Sequence, residues 1–144
     1  MPKDDSIFLL ANLSRPTTFT GQATGGVNFY APVPCDIISA DYTQFSGGTA
    51  DVLTIFVYPI SAASGPVTAG AAVTVVASPM FSFSSADYGS FANNTLRQLT
   101  VPTDSSSVGR HLNKGDGIQI AVTTGGTVAN IVGTVINIWA KPKR

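Results

Sequence analysis

Nucleophilic chemistry in this chain has one histidine, His111, and one cysteine, Cys35, to draw on. His111 lies between Arg110 and Leu112, just ahead of a turn, and no Gly-x-Ser-x-Gly elbow accompanies it. Without a triad pattern it reads as a surface loop residue. Cys35 sits between Pro34 and Asp36 at a strand start. With no flanking cation to favour a thiolate, it reads as a small buried hydrophobe. One His and one Cys do not make a zinc site of the common kinds. Asp116, within Gly-Asp-Gly, lacks the alternating acids and bidentate Glu of a calcium loop and reads as a turn residue. Glycoside hydrolysis would need a pair of carboxylates facing each other across the scissile bond. Yet Asp36, Asp41, Asp51 and Asp87 lie at the ends of apolar runs or on polar faces, where solvated Asp belongs. No catalytic, metal-binding or cofactor-binding residue is assigned, and the expectation is a protein that is no enzyme and needs no cofactor.

Recognition chemistry has more candidates. Tyr30, Tyr42, Tyr58, Tyr88 and Trp139 could stack on sugars, although core or subunit packing is the commoner use of strand aromatics. The closing Lys141-Pro142-Lys143-Arg144 is too short a basic segment to argue for nucleic acid. Asn12-Leu13-Ser14 and Asn93-Asn94-Thr95 fit the glycosylation pattern. The opening MPKDDSIFLLANLS does not have the form of a secretory leader, so neither is expected to be used, and cytoplasmic synthesis is expected. The lone cysteine is compatible with that compartment.

These residues must be positioned by strands. Charged residues are only 11% of the 144 positions, all eight acids are Asp, and the net charge is zero. An average domain has ~25% charged residues. The scarcity of Glu and Lys argues against solvent-facing helices, while 14 glycines and 9 prolines fit an all-β chain. A zero net charge offers no field for nucleic acid, and the apolar runs fall short of the roughly 18 residues that a membrane helix needs.

The pattern of the chain agrees. Within residues 112–140, Ile118, Ile120 and Val122 alternate with Gln119, Ala121 and Thr123, and Val132, Thr134, Ile136 and Ile138 alternate with Gly133, Val135, Asn137 and Trp139. Period-two alternation of β-branched residues predicts two strands, and the Thr-Gly-Gly-Thr between them predicts a hairpin. Residues 114–117 predict a tight turn ahead of it. Residues 51–58 predict a strand with Leu53, Ile55 and Val57 on one face and Val52, Phe56 and Tyr58 on the other. In residues 37–45, Ile38, Ala40 and Tyr42 share a face. Met80, Phe81, Phe83 and Tyr88, set among serines, predict an interface, a plug for the core, or equally a strand edge covering the core's open end. With strands at 27–30, 71–77 and 94–101, seven or eight strands make an antiparallel, jelly-roll-like β-sandwich. Its core includes Leu53, Ile55, Val57, Ile118, Ile120, Val122, Ile136 and Ile138.

Two features exceed the needs of such a fold. Residues 1–20 carry the compact cluster Ile7, Phe8, Leu9 and Leu10, set off by Pro16 and later glycines from a domain at 21–144. This segment reads either as an extended arm docked on a neighbour or as a short strand on the domain's own edge. A sandwich strand also has only one internal face. Val52, Phe56, Tyr58, Val135 and Trp139 are therefore expected at an interface between copies, with a trimer as the favoured homo-oligomer.

The order of FYAPVPCDIISADYTQF, SGGTADVLTIFVYP, TLRQLTVP and HLNKGDGIQIAVTTGGTVANIVGTVINIW resembles small sandwich domains of tailed-bacteriophage virion proteins. Head decoration, or cement, proteins are the nearest in style. The resemblance spans about residues 27–139 and implies a non-enzymatic structural protein, made in the host cytoplasm and placed on the capsid exterior. Its partners would be the major capsid protein and copies of itself, with no nucleic acid or membrane. Cement proteins sit as small oligomers on the capsid lattice and lock neighbouring subunits, and Ile7 to Leu10 would serve as the grip. The competing expectation is a receptor- or carbohydrate-binding head domain of a fibre, spike or lectin-like protein.

Overall fold

The structure, a computed structural model, describes residues 6–15, 24–46, 52–61, 74–75, 81–85, 92–101, 111–125 and 131–143. These residues form two antiparallel sheets and no α-helix. The strands are β1 (Phe8–Arg15), β2 (Thr24–Tyr30), β3 (Cys35–Thr43), β4 (Val52–Ser61), β5 (Thr74–Val75), β6 (Phe81–Ser84), β7 (Arg97–Leu99), β8 (His111–Leu112), β9 (Gly117–Gly125) and β10 (Thr134–Pro142). The first sheet runs β1-β10-β3-β7, with β8 also on β3; the second runs β2-β9-β4-β5, with β6 also on β4.

The pairing has a mirror logic. β1 pairs with β10, β2 with β9, β3 with β7 and β8, and β4 with β5 and β6. That is the ladder of one long hairpin. The further pairs β10·β3 and β9·β4 roll this ladder into two sheets. Counting β5 with β6 and β7 with β8 as interrupted strands leaves eight strand positions, four in each sheet.

Alternation sends one face of each sheet inward. β10 is buried at Thr134, Ile136, Ile138 and Ala140, and half-buried at Val135, Asn137 and Trp139. On β4, Ile55 and Val57 are buried while Phe56 and Tyr58 are half-buried. One apolar cluster joins the inner faces, and it includes Ile37, Ile55, Val57, Phe83, Ile118, Ile120, Val122, Ile136 and Ile138. Every expected core residue whose side chain is described lies in it. Leu53 lies on β4, but its side chain is outside the described residues.

Four expectations need correction. β9 and β10 are strands as expected, but they do not form a hairpin. They lie in different sheets, because each finds two other long partners. Second, Ile38 does not share the buried face of Ala40 and Tyr42; Ile37 takes that place. A register shift between Trp139 and Ala140, opposite Ser39 and Ile37, makes Ile38 the extra residue of a bulge, and a bulge inverts the alternation beyond it. Third, of the readings of residues 79–88 the strand is the one observed at Phe83, a buried residue of β6, and the interface and plug readings do not hold for it. Met80 and Tyr88 lie outside the described residues.

The fourth concerns the N-terminal segment. Residues 8–15 are the edge strand β1, paired with β10 from Phe8↔Ala140 to Arg15↔Thr134. Leu10, Ala11 and Leu13 are buried in the core and Phe8 packs against it. An arm at 1–20 separate from a domain at 21–144 is therefore not what β1 forms, since it belongs to the domain's own sheet. The physical reason is that Leu10, Ala11 and Leu13 supply the apolar cover that β10 lacks on that side.

Turns explain the ends of the strands that matter. Asp116 donates its N–H to the Asn113 carbonyl at 3.0 Å, closing a turn in which Gly115 has φ 89°. A positive φ at the third position marks a type II turn and favours glycine. The Asp116 carboxylate in turn accepts from the Asn113 N–H at 3.1 Å. Gly117 follows, with the Phe29 carbonyl 2.4 Å from where a Cβ would stand, so β2 and β9 approach too closely there for any side chain.

Candidate functional site

The outer face of the first sheet carries the most organised polar chemistry in the described residues. Asn12 on β1, Asn137 on β10 and Asp41 on β3 are in register, and Gln98 on β7 continues the row. Their side chains bond across the strands. Ser14 Oγ donates to Asn12 Oδ1 at 3.0 Å, and Asn12 Nδ2 to Asn137 Oδ1 at 2.7 Å. Asn137 Nδ2 donates to Asp41 Oδ1 at 2.8 Å. Trp139 Nε1 donates to Asp41 Oδ2 at 2.9 Å. The carboxylate thus orients both an amide and an indole, and bonds to an ionised acceptor are stronger than neutral ones.

Trp139 is set by the backbone as well. The neighbouring strands each insert an extra residue beside it: Leu10 on β1 between the partners of Ile138 and Trp139, and Ile38 on β3 between those of Trp139 and Ala140. Apolar side chains flank the polar row. Leu9 is opposite Trp139 and is 44% exposed, while Phe45 and Leu96, at the other end of this face, are each 65% exposed. Phe45 lies over Gly133, whose φ of 69° and lack of a Cβ make room for it: an added Cβ would stand 2.7 Å from Phe45 Cβ.

The outer face of the second sheet differs. Phe56 and Tyr58 stack with centroids 6.0 Å apart. Around them the register places Ala121, Ser82 and Gln119, and Gln119 donates to Asn28 Oδ1 at 2.9 Å. Tyr30, 48% exposed, reaches over Gly117 on the same sheet. The five residues expected at one interface are thus split. Phe56 and Tyr58 lie on one outer face of the sandwich, and Val135 and Trp139 on the opposite one. The side chain of Val52 is outside the described residues.

The expected grip is split too. Ile7 and Leu9 are exposed, whereas Leu10 is buried and Phe8 half-buried within the chain's own core. Only Ile7 and Leu9 remain free to meet a neighbour.

The reactive residues have structural partners. His111 is exposed but lies on β8 rather than in a loop; its Nδ1 is 3.0 Å from Asp36 Oδ1 and its Nε2 is 3.3 Å from Asn113 Oδ1. The Cys35 thiol is fully buried, and burial, then the Asp36 carboxylate, raise its pKa. Tyr42 is buried as well, so it offers no platform to a ligand. Its hydroxyl donates to Gln44 Oε1 at 2.9 Å, and Gln44 Nε2 donates to Asn93 Oδ1 at 2.8 Å. Burial pushes the Tyr42 phenol up to about 12, against a smaller opposing pull from Thr134. Among the described residues no three His, Cys, Asp or Glu side chains gather as a metal site would require.

Sequence reasoning named Trp139 but not its partners Asn12, Asp41 and Asn137 as a unit. The only signal was the presence of Asn137 in an otherwise apolar alternation, since an amide between two apolar neighbours on an outer face needs something to bond. The class this geometry defines is an all-β sandwich with a bonded polar row on one outer face and stacked aromatics on the other. Comparison with protein-family models, with curated proteins and with solved structures finds no match to this chain.

Proposed function

We propose that this chain is a non-enzymatic virion structural protein, a decoration protein that binds the outer face of a tailed-bacteriophage capsid and stabilises its lattice. The observation that carries the reading is the apolar surface left on a sandwich whose core is already closed. Phe56 and Tyr58 stack on one outer face, and Ile7 and Leu9 stand exposed at the β1 edge. Charged residues are only 11% of the chain, so little charge repels an apposed surface. The mirror pairing of the strands supports the finer reading of the fold as a jelly roll, an architecture common in capsid proteins.

The subunits associate through Phe56 and Tyr58, most simply as a trimer. In a closed ring of three, each subunit meets its neighbours on patches inclined by about 60°, whereas contacts on opposite faces continue into an open stack. Phe56–Tyr58 and Val135–Trp139 therefore do not both serve one ring. The first pair fits a subunit contact better, because Trp139 is already engaged by Asp41. Ile7 and Leu9 then meet the major capsid protein, and many symmetric copies multiply a modest contact.

The test is purification of assembled particles. Decoration requires the protein at a fixed ratio to the major capsid protein through successive gradients. A ratio that varies or falls to zero on purification refutes it. The second reading, a carbohydrate-binding head domain, is favoured by a separate observation, the Trp139–Asp41–Asn137–Asn12 row.

A further inference from the structure

We propose that the outer face of the first sheet is a binding site for neutral saccharides, built on Trp139, Asp41, Asn137 and Asn12. Sugar recognition asks for planar donors and acceptors held in fixed directions beside an aromatic ring. The polar groups answer the hydroxyls and the ring covers the apolar faces of the sugar. The row supplies both. Each amide spends one of its two N–H groups on the next residue of the ladder, which leaves the other directed by the bond already made. The Asp41 carboxylate accepts one bond on each oxygen and has about two further lone-pair sites. Donor and acceptor capacity thus alternates along Asn12, Asn137 and Asp41 over about 10 Å, two strand spacings, a span suited to a short oligosaccharide.

Preorganisation separates this row from an ordinary cross-strand ladder. Its side chains are already immobilised, so a ligand does not meet their ordering cost. Trp139 is held by its indole N–H and stands where both adjacent strands bulge, a device that re-aims side chains and occurs beside binding sites. The ligand class follows from charge. Asp41 is the one charged residue in the row, so an acidic sugar is disfavoured and a neutral polyol needs no counter-charge.

The chain has a single tryptophan, so its indole N–H signal and its fluorescence both report on this site. The experiment titrates the full chain with lactose, maltotriose, cellotriose and chitotriose, and with sialyllactose as the acidic comparison. The expected result is a saturable shift of the Trp139 indole resonance with at least one neutral sugar in the millimolar range, and a weaker response to sialyllactose. Asn12→Ala, read at the indole, and Trp139→Phe, which has no indole and is read from backbone amide shifts, should each weaken binding about tenfold with the fold checked by the amide spectrum, whereas Phe56→Ala on the opposite face leaves it unchanged. If Trp139→Phe disturbs the fold, the exposed Asn12→Ala carries the test. No saturable shift with any of the neutral sugars overturns the proposal. So does binding that survives Asn12→Ala at full strength, or that Phe56→Ala removes. Capsid association is measured separately, so loss of one activity leaves the other standing.

Discussion

Tyr42 offers a direct measure of how closed the core is. Its hydroxyl donates to Gln44 inside the sandwich, and burial raises its pKa to about 12. An unfolded tyrosine ionises near ~10. Because the folded pKa is the higher one, the unfolded chain loses its proton first as pH rises. The stability this represents is fully present below pH ~10 and is lost progressively as pH rises through about 12. Two pKa units correspond to about 2.7 kcal/mol, which is the most the transition can remove. The assay is urea denaturation of the parent and of Tyr42→Phe at pH 8, 10 and 12. At pH 8 the variant should be less stable by about 1–3 kcal/mol, through the lost bond to Gln44. Between pH 10 and 12 the parent should lose up to about 2.7 kcal/mol more than the variant, so the curves converge. Every group other than Tyr42 is common to both chains, so its contribution cancels in the difference. Parallel losses in parent and variant would mean that Tyr42 ionises as readily as in water, and the buried placement would be wrong.

Other perturbations probe other parts of the account. Ile120→Asp, which places an unpaired carboxylate at a 1% exposed position, should cost several kcal/mol and lower the thermal midpoint sharply; a parent-like melt would remove Ile120 from the core. Leu13→Ala should cost about 2–5 kcal/mol, because Leu13 is buried on β1, and denaturation reads it; a negligible loss would mean that β1 is not part of the sheet. Phe56→Ser with Tyr58→Ser should leave the fold intact and convert the proposed oligomer to monomer in sedimentation, whereas an unchanged oligomeric mass would move the subunit contact elsewhere.

The alternation that makes strands was legible because it is local. Ile118, Ile120 and Val122 announce an inward face by their spacing, and so do Ile136 and Ile138. The hairpin between them was misread because a Gly-Gly turn looks the same whether the chain turns back into the same sheet or crosses to the other. Which occurs is decided by β1, β2, β3 and β4, whose competition for β9 and β10 no local window contains. Ile38 was misplaced for a related reason: its bulge depends on the register of β10, more than 90 residues away in sequence. The polar row was the least legible, since Asn12 and Asn137 are 125 residues apart and Asp41 and Asn137 are 96 apart. Each alone looks like an ordinary solvated side chain. The N-terminal cluster was legible as apolar, but only the pairing of β1 with β10 divides it into the buried Leu10 and the exposed Ile7 and Leu9.

The central claim is association with a capsid lattice, and the most direct measurement is add-back. Capsids stripped of this protein are mixed with the purified full chain, sedimented, and the bound protein counted per major capsid subunit as its concentration rises. Saturation at a fixed ratio, with a higher temperature of capsid disruption and with loss of binding on Ile7→Ser and Leu9→Ser, is the predicted result. No saturable binding, or binding that leaves capsid disruption unchanged, contradicts the account.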